Sequence, residues 1–550
     1  MLEARRRRIS SKLEIEPFEV AASQSTCDKA CNMRERFMRL DLFSTVVFSA
    51  ITALFMMVVL LNAAFGVFYD TDHFADTQFL LGAAWRVHQG LIPAVDFGHF
   101  YGGIMAQGIS GTMSLFGHSV FVFDYFTILA TLFLSACAFL ILRPQISWAG
   151  FAVIVVMLST LLLTRFPLEN ETSITQVVST HSFLYNRFAL AIFLILGLFV
   201  ALPAPILIRD MWGAILAGAL AGLVCLTKPT FVILPVGLLL AVLVQGRWLA
   251  MVGVLSGAAL VFACFDPTLG RMLGSFDYAL AHVGSDNDLG GLIRKTVQVP
   301  LAQPIAVSLA FGGLIYLLYV RGFGRFVIAI LGFSAAGAGL TATMGGNGNL
   351  GQLAIPIAVM ISLGVSEITR HAVLPRSETF QFVTVCLVLA FVVPHLLNLI
   401  GTTAEGISRR GAMQITQGPF MGYLSYPDRA PEDVTQYDTL VDGIAALQQL
   451  GDPTKWGIVA NNGVTFEYAL MARPVPGYPL WERASAPEFD ADRPFAPAAD
   501  IVMLRHSDQP IPLEGMLREK IAEDFVICAT SLHWEIYRRL TREITACDAP

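Results

Sequence analysis

Between Tyr69 and Gly103 the chain gathers four aspartates, Asp70, Asp72, Asp76 and Asp96, and three histidines, His73, His88 and His99. Carboxylates and imidazoles are the side chains that accept and return protons near neutral pH, and a cluster of them is a candidate acid-base centre. This block follows the first long apolar run and is too polar to cross a bilayer itself. An acidic, aromatic, partly amphipathic loop at the water interface points to an enzyme whose active site faces one side of a membrane.

The elements that must position these residues are apolar. Of 550 residues 55% are hydrophobic and 14% charged, with a mean hydropathy of +0.63, against about 25% charged in an ordinary soluble domain. Crossing ~30 Å of hydrocarbon takes ~20 apolar residues. Runs of that kind recur at 42–68, 119–142, 147–164, 188–208, 211–227, 229–246, 248–265, 300–320, 326–346, 348–366 and 379–402. The basic residues sit singly in loops, and with a net charge of -6 they exclude a nucleic-acid partner. Arg5, Arg6, Arg7 and Arg8 place the N-terminal tail, 1–40, in the cytoplasm, and the first span reads as a retained anchor. If 100–116 lies in the membrane plane or re-enters, eleven spans put Arg143, Arg209, Arg247, Arg321, Arg325, Arg370 and Arg376 on the cytoplasmic side. The expectation is a polytopic α-helical membrane protein of about 11–13 spans over 41–404, with the first loop, 69–103, and the C-terminal region outside.

From about residue 405 the composition becomes that of a soluble α/β domain. Helical spacing marks 432–450 and 513–522, short buried strands are expected at 456–460 and 500–504, and 525–538 is strand-like. No Gly-rich phosphate loop, nucleophile elbow or metal-ligand spacing occurs there, so its expected role is to cover or shape the membrane site. Cys137, Cys225, Cys264 and Cys386 lie in apolar runs and read as small core residues, and Cys27 and Cys31 as solvated thiols. Cys528 and Cys547 can pair only if the tail is extracytoplasmic.

Within the key block, 76–89 places Phe79, Leu80, Ala83, Ala84 and Val87 on one helical face, with Asp76, Gln78, Arg86 and Gln89 largely elsewhere. That pattern suits a helix lying in the interface, ended by Gly90 and Pro93. A first-loop Asp opening such a helix, then G-x-x-P-x-x-D-F-x-H-x-Y-G, then an apolar run ending in Leu115, Phe116 and Gly117, resembles the GT-C superfamily of multi-span glycosyltransferases. The tract SFLYNRFAL at 182–190 and GLVCLTKPT at 222–230 fit the same family, in the branch of protein O-mannosyltransferases and lipid A aminoarabinose or galacturonic acid transferases. Where the aminoarabinose relatives carry an acidic-Lys-Pro cluster, this chain has His99, Phe100, Tyr101, Gly102 and Gly103.

The resemblance implies transfer of a sugar from a polyprenyl-phosphate donor to an envelope glycan, lipid or protein on the extracytoplasmic side of a bacterial inner membrane. It implies no certain cofactor, with a divalent metal as an option. Such a reaction needs a base for the acceptor proton and positive charge for the leaving phosphate. Asp76 is the first candidate base, with Asp72 and Asp96 as further carboxylates, although Asp96 in a turn after Pro93 is equally a turn former. His99 and Tyr101 are candidate donor contacts, as are Tyr185, Asn186 and Arg187. Lys228 offers a point charge at a span end, where snorkelling lysines are also common. Glu169 and Glu171 are possible second acids in a loop that otherwise reads as solvated, and Asp124 is an ionisable group inside an apolar run. The rival class is a polytopic transporter or lipid-glycan flippase, which should show inverted repeats and midplane charges that the sequence lacks.

Overall fold

The computed structural model describes residues 24–69, 74–99, 101–164, 184–202, 207–282, 304–319, 323–342, 350–371, 377–416, 418–425, 431–461, 465–478, 497–506 and 512–540. Their helices run α1 Gln24–Ala64, α2 Phe74–His88, α3 Ile104–Phe116, α4 Val122–Leu142, α5 Trp148–Leu163, α6 Leu184–Ala201, α7 Leu207–Thr227 and α8 Ile233–Val244. They continue with α9 Trp248–Phe265, α10 Gly270–His282, α11 Pro304–Tyr319, α12 Gly324–Ala342, α13 Leu350–His371 and α14 Ser377–Ser408.

Every one of the eleven expected spans coincides with one of these helices. Six are long and apolar enough to cross a bilayer, in α1, α4, α6, α7, α9 and α14, and four more are apolar but shorter, at 148–163, 229–244, 304–319 and 324–340. The chain is a multi-pass membrane protein. By contrast α3 has 13 residues, about 20 Å at ~1.5 Å per residue, which falls short of the hydrocarbon thickness.

The bundle is organised around α6, which is buried along its whole length, while α1 and α9 are buried over 28% of their apolar windows and turn the rest outward. Gly218 and Gly257 bring α7 and α9 into backbone contact: a Cβ at Gly218 would stand 2.0 Å from the Val254 carbonyl oxygen, and one at Gly257 1.9 Å from that of Ile215. Cys137 and Cys225 are buried as expected, but Cys264 and Cys386 are exposed on the bundle's outer face, where apolar side chains meet lipid rather than one another.

The helix ends sort into two groups. At one end Asp41, Arg143, Glu367, Arg370 and His371 line a cavity of about 630 Å³, Arg370 pairs with Asp41 at 2.7 Å, and Arg247 binds Asp210 and the Phe199 carbonyl. At the other end lie the close of α1, all of α2, the start of α4 and α6, and the close of α7 and α14. The described basic residues Arg143, Arg247 and Arg370 thus share one end of the bundle.

The C-terminal part adds α15 Pro431–Leu450, α16 Phe466–Ala469 and α17 Pro512–Ile521 around strands β4 Ile458–Ala460, β5 Ile501–Arg505, β6 Phe525–Thr530 and β7 Trp534–Arg539, in the order β4-β5-β7-β6. β4 and β5 are parallel, and the other pairs are antiparallel. The single strand expected over 525–538 is therefore a hairpin. Its turn holds no Gly or Pro; Asp442 accepts from both Ser531 Oγ at 2.6 Å and His533 N–H at 2.8 Å. A second small sheet joins β1 Phe68–Tyr69, directly after the first span, to β3 Tyr423–Ser425 in parallel, with β2 Met413–Gln414 on its other side. The first loop and the C-terminal part are thereby stitched together. Cys528 is disulfide-bonded; Cys547 lies outside the described residues.

Candidate active site

Helix α2 starts two residues earlier than the sequence pattern suggests and carries Asp76 in its first turn. Asp72, Glu169 and Glu171 lie outside the described residues, and Asp76 is placed by its backbone alone. Gly90, at φ +91°, stops the helix in a left-handed conformation that costs glycine nothing. The segment that follows folds back on itself. Asp96 Oδ2 accepts the Ile92 N–H at 2.7 Å, and the Asp96 carbonyl accepts the Gly477 N–H at 2.6 Å. Asp96 therefore closes a turn and holds it to the C-terminal part, the turn-forming alternative its sequence context allowed.

This fold-back delivers three separated stretches of sequence to one place. Gly102 donates its N–H to the Thr227 carbonyl at 3.2 Å, and a Cβ there would lie 2.1 Å from the Leu226 carbonyl oxygen. Only glycine lets the loop lie against the end of α7, one residue from Lys228. Ser275 Oγ donates to the Tyr101 carbonyl at 2.8 Å and fixes the loop from a second side. The Tyr101 ring then meets the Tyr185 ring with centroids 4.3 Å apart. Lys228 Nζ stands 5.6 Å from the Tyr185 centroid and 5.5 Å from that of Phe231, within reach of cation–π attraction. Burial draws the Lys228 ammonium down from the ordinary lysine range to about 8. Lys228 is thus a buried cation flanked by two aromatic faces.

His99 is buried beneath this group. Its ring stacks on Phe79 at 5.2 Å and stands edge-on to Tyr101 at 5.7 Å. Burial and then the nearby charge of Arg86 lower it to about 3, so it is a neutral ring. Tyr185, Asn186 and Arg187 are all buried at the start of α6. Arg187 donates to the Thr164 carbonyl at the end of α5 and lies in electrostatic reach of His395 on α14. Asp124 is buried in the first turn of α4, where a carboxylate suits the helix N-terminus. Among the described residues no group of three or more His, Cys, Asp or Glu side chains is placed to hold a metal ion.

No family model matches the chain, and no curated protein does. Two solved structures are similar to it: ArnT from Cupriavidus metallidurans bound to undecaprenyl phosphate, at 10% identity and a TM-score of 0.40 over 90% of this chain and 98% of that one, and ArnT from the same organism in the apo state, at 12% identity and a TM-score of 0.40 over 90% and 97%.

The polar face of α2 departs from expectation. Gln78 and Arg86 do not face water but are buried against the C-terminal part, at 1% and 2% exposure. Thr465 Oγ1 donates to the Gln78 carbonyl at 3.1 Å, and Trp85 Nε1 to the Ala472 carbonyl at 2.9 Å. Arg86 Nε binds Glu467 Oε1 at 2.6 Å, its Nη1 binds the Tyr478 carbonyl, and its guanidinium lies 5.1 Å from the Phe97 ring centroid. Helix α2 is clamped between the bundle and the 465–478 segment of the C-terminal part, and the clamp is ionic. Breaking a buried pair from one side leaves the other charge unpaired, at about 3–5 kcal/mol. Arg86→Met should therefore lower the unfolding temperature of the purified protein markedly, and Arg86→Met with Glu467→Leu should recover much of the loss. Thermal unfolding of the three proteins in one detergent checks this; an unshifted Arg86→Met would show that the clamp contributes little.

Proposed function

We propose that this chain is a GT-C-type glycosyltransferase that moves a sugar from a polyprenyl phosphate to an envelope glycan, lipid or protein on the extracytoplasmic side of a bacterial inner membrane. One observation carries the reading: Lys228, Tyr185 and Tyr101, far apart in sequence, converge at a bundle end covered by the loop whose helix carries Asp76 in its first turn. Arg143, Arg247 and Arg370 lie at the opposite end, which supports that end as cytoplasmic, and the disulfide at Cys528 supports an oxidising location for the C-terminal part.

In this mechanism the donor's lipid tail lies along the bundle and its phosphate rises to Lys228. The acceptor hydroxyl or amine gives its proton to the Asp76 carboxylate as its lone pair attacks the anomeric carbon. The bond from that carbon to the phosphate oxygen breaks, and the electron pair leaves on polyprenyl phosphate, whose added charge Lys228 stabilises. Tyr185 and Phe231 hold the ammonium in place, Tyr101 packs on Tyr185, and the Arg86 clamp fixes α2 above them.

Purified protein should transfer sugar from a polyprenyl-phosphate-linked donor and ignore soluble nucleotide-sugars. Transfer from a nucleotide-sugar with the lipid-linked donors left unused would overturn the proposal.

A further inference from the structure

We propose that His88 and His118 form a binding site for one divalent transition cation of the borderline class, Cu²⁺, Ni²⁺ or Zn²⁺, separate from the transfer site and independent of the reading given to it. His88 is the last residue of α2, and His118 lies in the turn between α3 and α4. Twelve residues separate His88 from Asp76, about 18 Å along a helix. The two Nε2 atoms are 3.0 Å apart, with ring centroids at 4.7 Å and ring planes at 76°. Two nitrogens bound at about 2.0–2.1 Å to one ion, and that far apart, subtend about 95° at it, an angle open coordination spheres accept. The centroids are closer than a head-on pair of imidazoles would place them, as expected of rings that converge on a shared point.

A second contact orients His88. Ser114 Oγ, which donates to the Ser110 carbonyl at 3.2 Å, lies 3.4 Å from His88 Nδ1. With the Nδ1 hydrogen directed to that hydroxyl, Nε2 presents its lone pair. This is the outer-shell arrangement that orients metal-binding histidines elsewhere. Trp85 holds both rings, stacked on His88 at 5.7 Å and edge-on to His118 at 5.3 Å, and is itself anchored to the Ala472 carbonyl. Burial and the neighbouring His88 lower the His118 pKa, which keeps the ring unprotonated and available as a ligand. Both rings remain half-exposed, leaving the other coordination positions to water or an external ligand. A cation there would join the end of α2 to the α3–α4 turn.

The full chain, purified with a tag that contains no histidine, should bind one equivalent of Cu²⁺ whose electron paramagnetic resonance spectrum carries splitting from two imidazole nitrogens. His88→Asn and His118→Asn should each lose the two-nitrogen signal and bind at least tenfold more weakly, with unfolding temperature and elution volume unchanged without metal. Ser114→Ala keeps both ligands and removes only the orienting hydroxyl, so about tenfold weaker binding is expected. A wild-type protein without the two-nitrogen signal, or histidine variants that retain it, would overturn the site.

Discussion

Replacing Asp76 by Asn is expected to cut sugar transfer by at least about 100-fold, the lower end of what a positioned general base contributes. Asparagine keeps the shape and the hydrogen-bonding reach of the side chain and removes its ability to take a proton. The competing role for a carboxylate in the first turn of α2 is to interact with the helix N-terminus, about 0.3–1 kcal/mol at an exposed position. That role would show in stability and hardly in turnover. Measuring initial rates beside unfolding temperature and donor binding separates the two: loss of rate with donor binding kept assigns the base, whereas a slightly less stable but fully active variant moves the assignment to another carboxylate. Asp96 is a poor substitute, because one of its oxygens is committed to the Ile92 N–H.

Much of the architecture is legible because membrane spans and amphipathic helices announce themselves by local periodicity. The eleven apolar runs became helices, and α2, α15 and α17 lie within a few residues of their expected bounds. The candidates Tyr101, in the first-loop motif, and Tyr185 and Lys228, at span ends, are legible by type and place, and the fold brings them together. The docking of α2 was not legible. An arginine among apolar residues on a helix reads as a solvated face, and nothing local tells Arg86 that Glu467, 381 positions later, will bury it. The hairpin of β6 and β7 was missed for a similar reason. Strand-like residues continue through Ser531, Leu532 and His533, and the reversal depends on a carboxylate from α15 rather than on turn-forming residues. Long-range polar contacts leave no periodic trace, whether they build a turn or a domain interface.

The same reasoning makes Lys228 testable by pH. Burial favours its uncharged form, so in the free protein the ammonium is populated below about pH 8 and lost above it, well short of the ordinary lysine value. A sugar-linked polyprenyl phosphate is a diester whose single negative charge does not change over this range. Donor affinity should then follow the lysine: constant below pH 8, and falling toward about tenfold per pH unit above it, by proton linkage to one group. Lys228→Met should bind donor weakly at every pH, since it keeps most of the apolar stem but none of the charge. Lys228→Arg separates charge from identity. Guanidinium stays protonated throughout, so whatever its absolute affinity, its donor binding should not change between pH 7 and 10. Half-saturating donor concentrations for the three proteins across that range decide the matter. A flat wild-type profile, or a slope in Lys228→Arg equal to that of wild type, would remove Lys228 from the donor site and leave its cation–π contacts as packing.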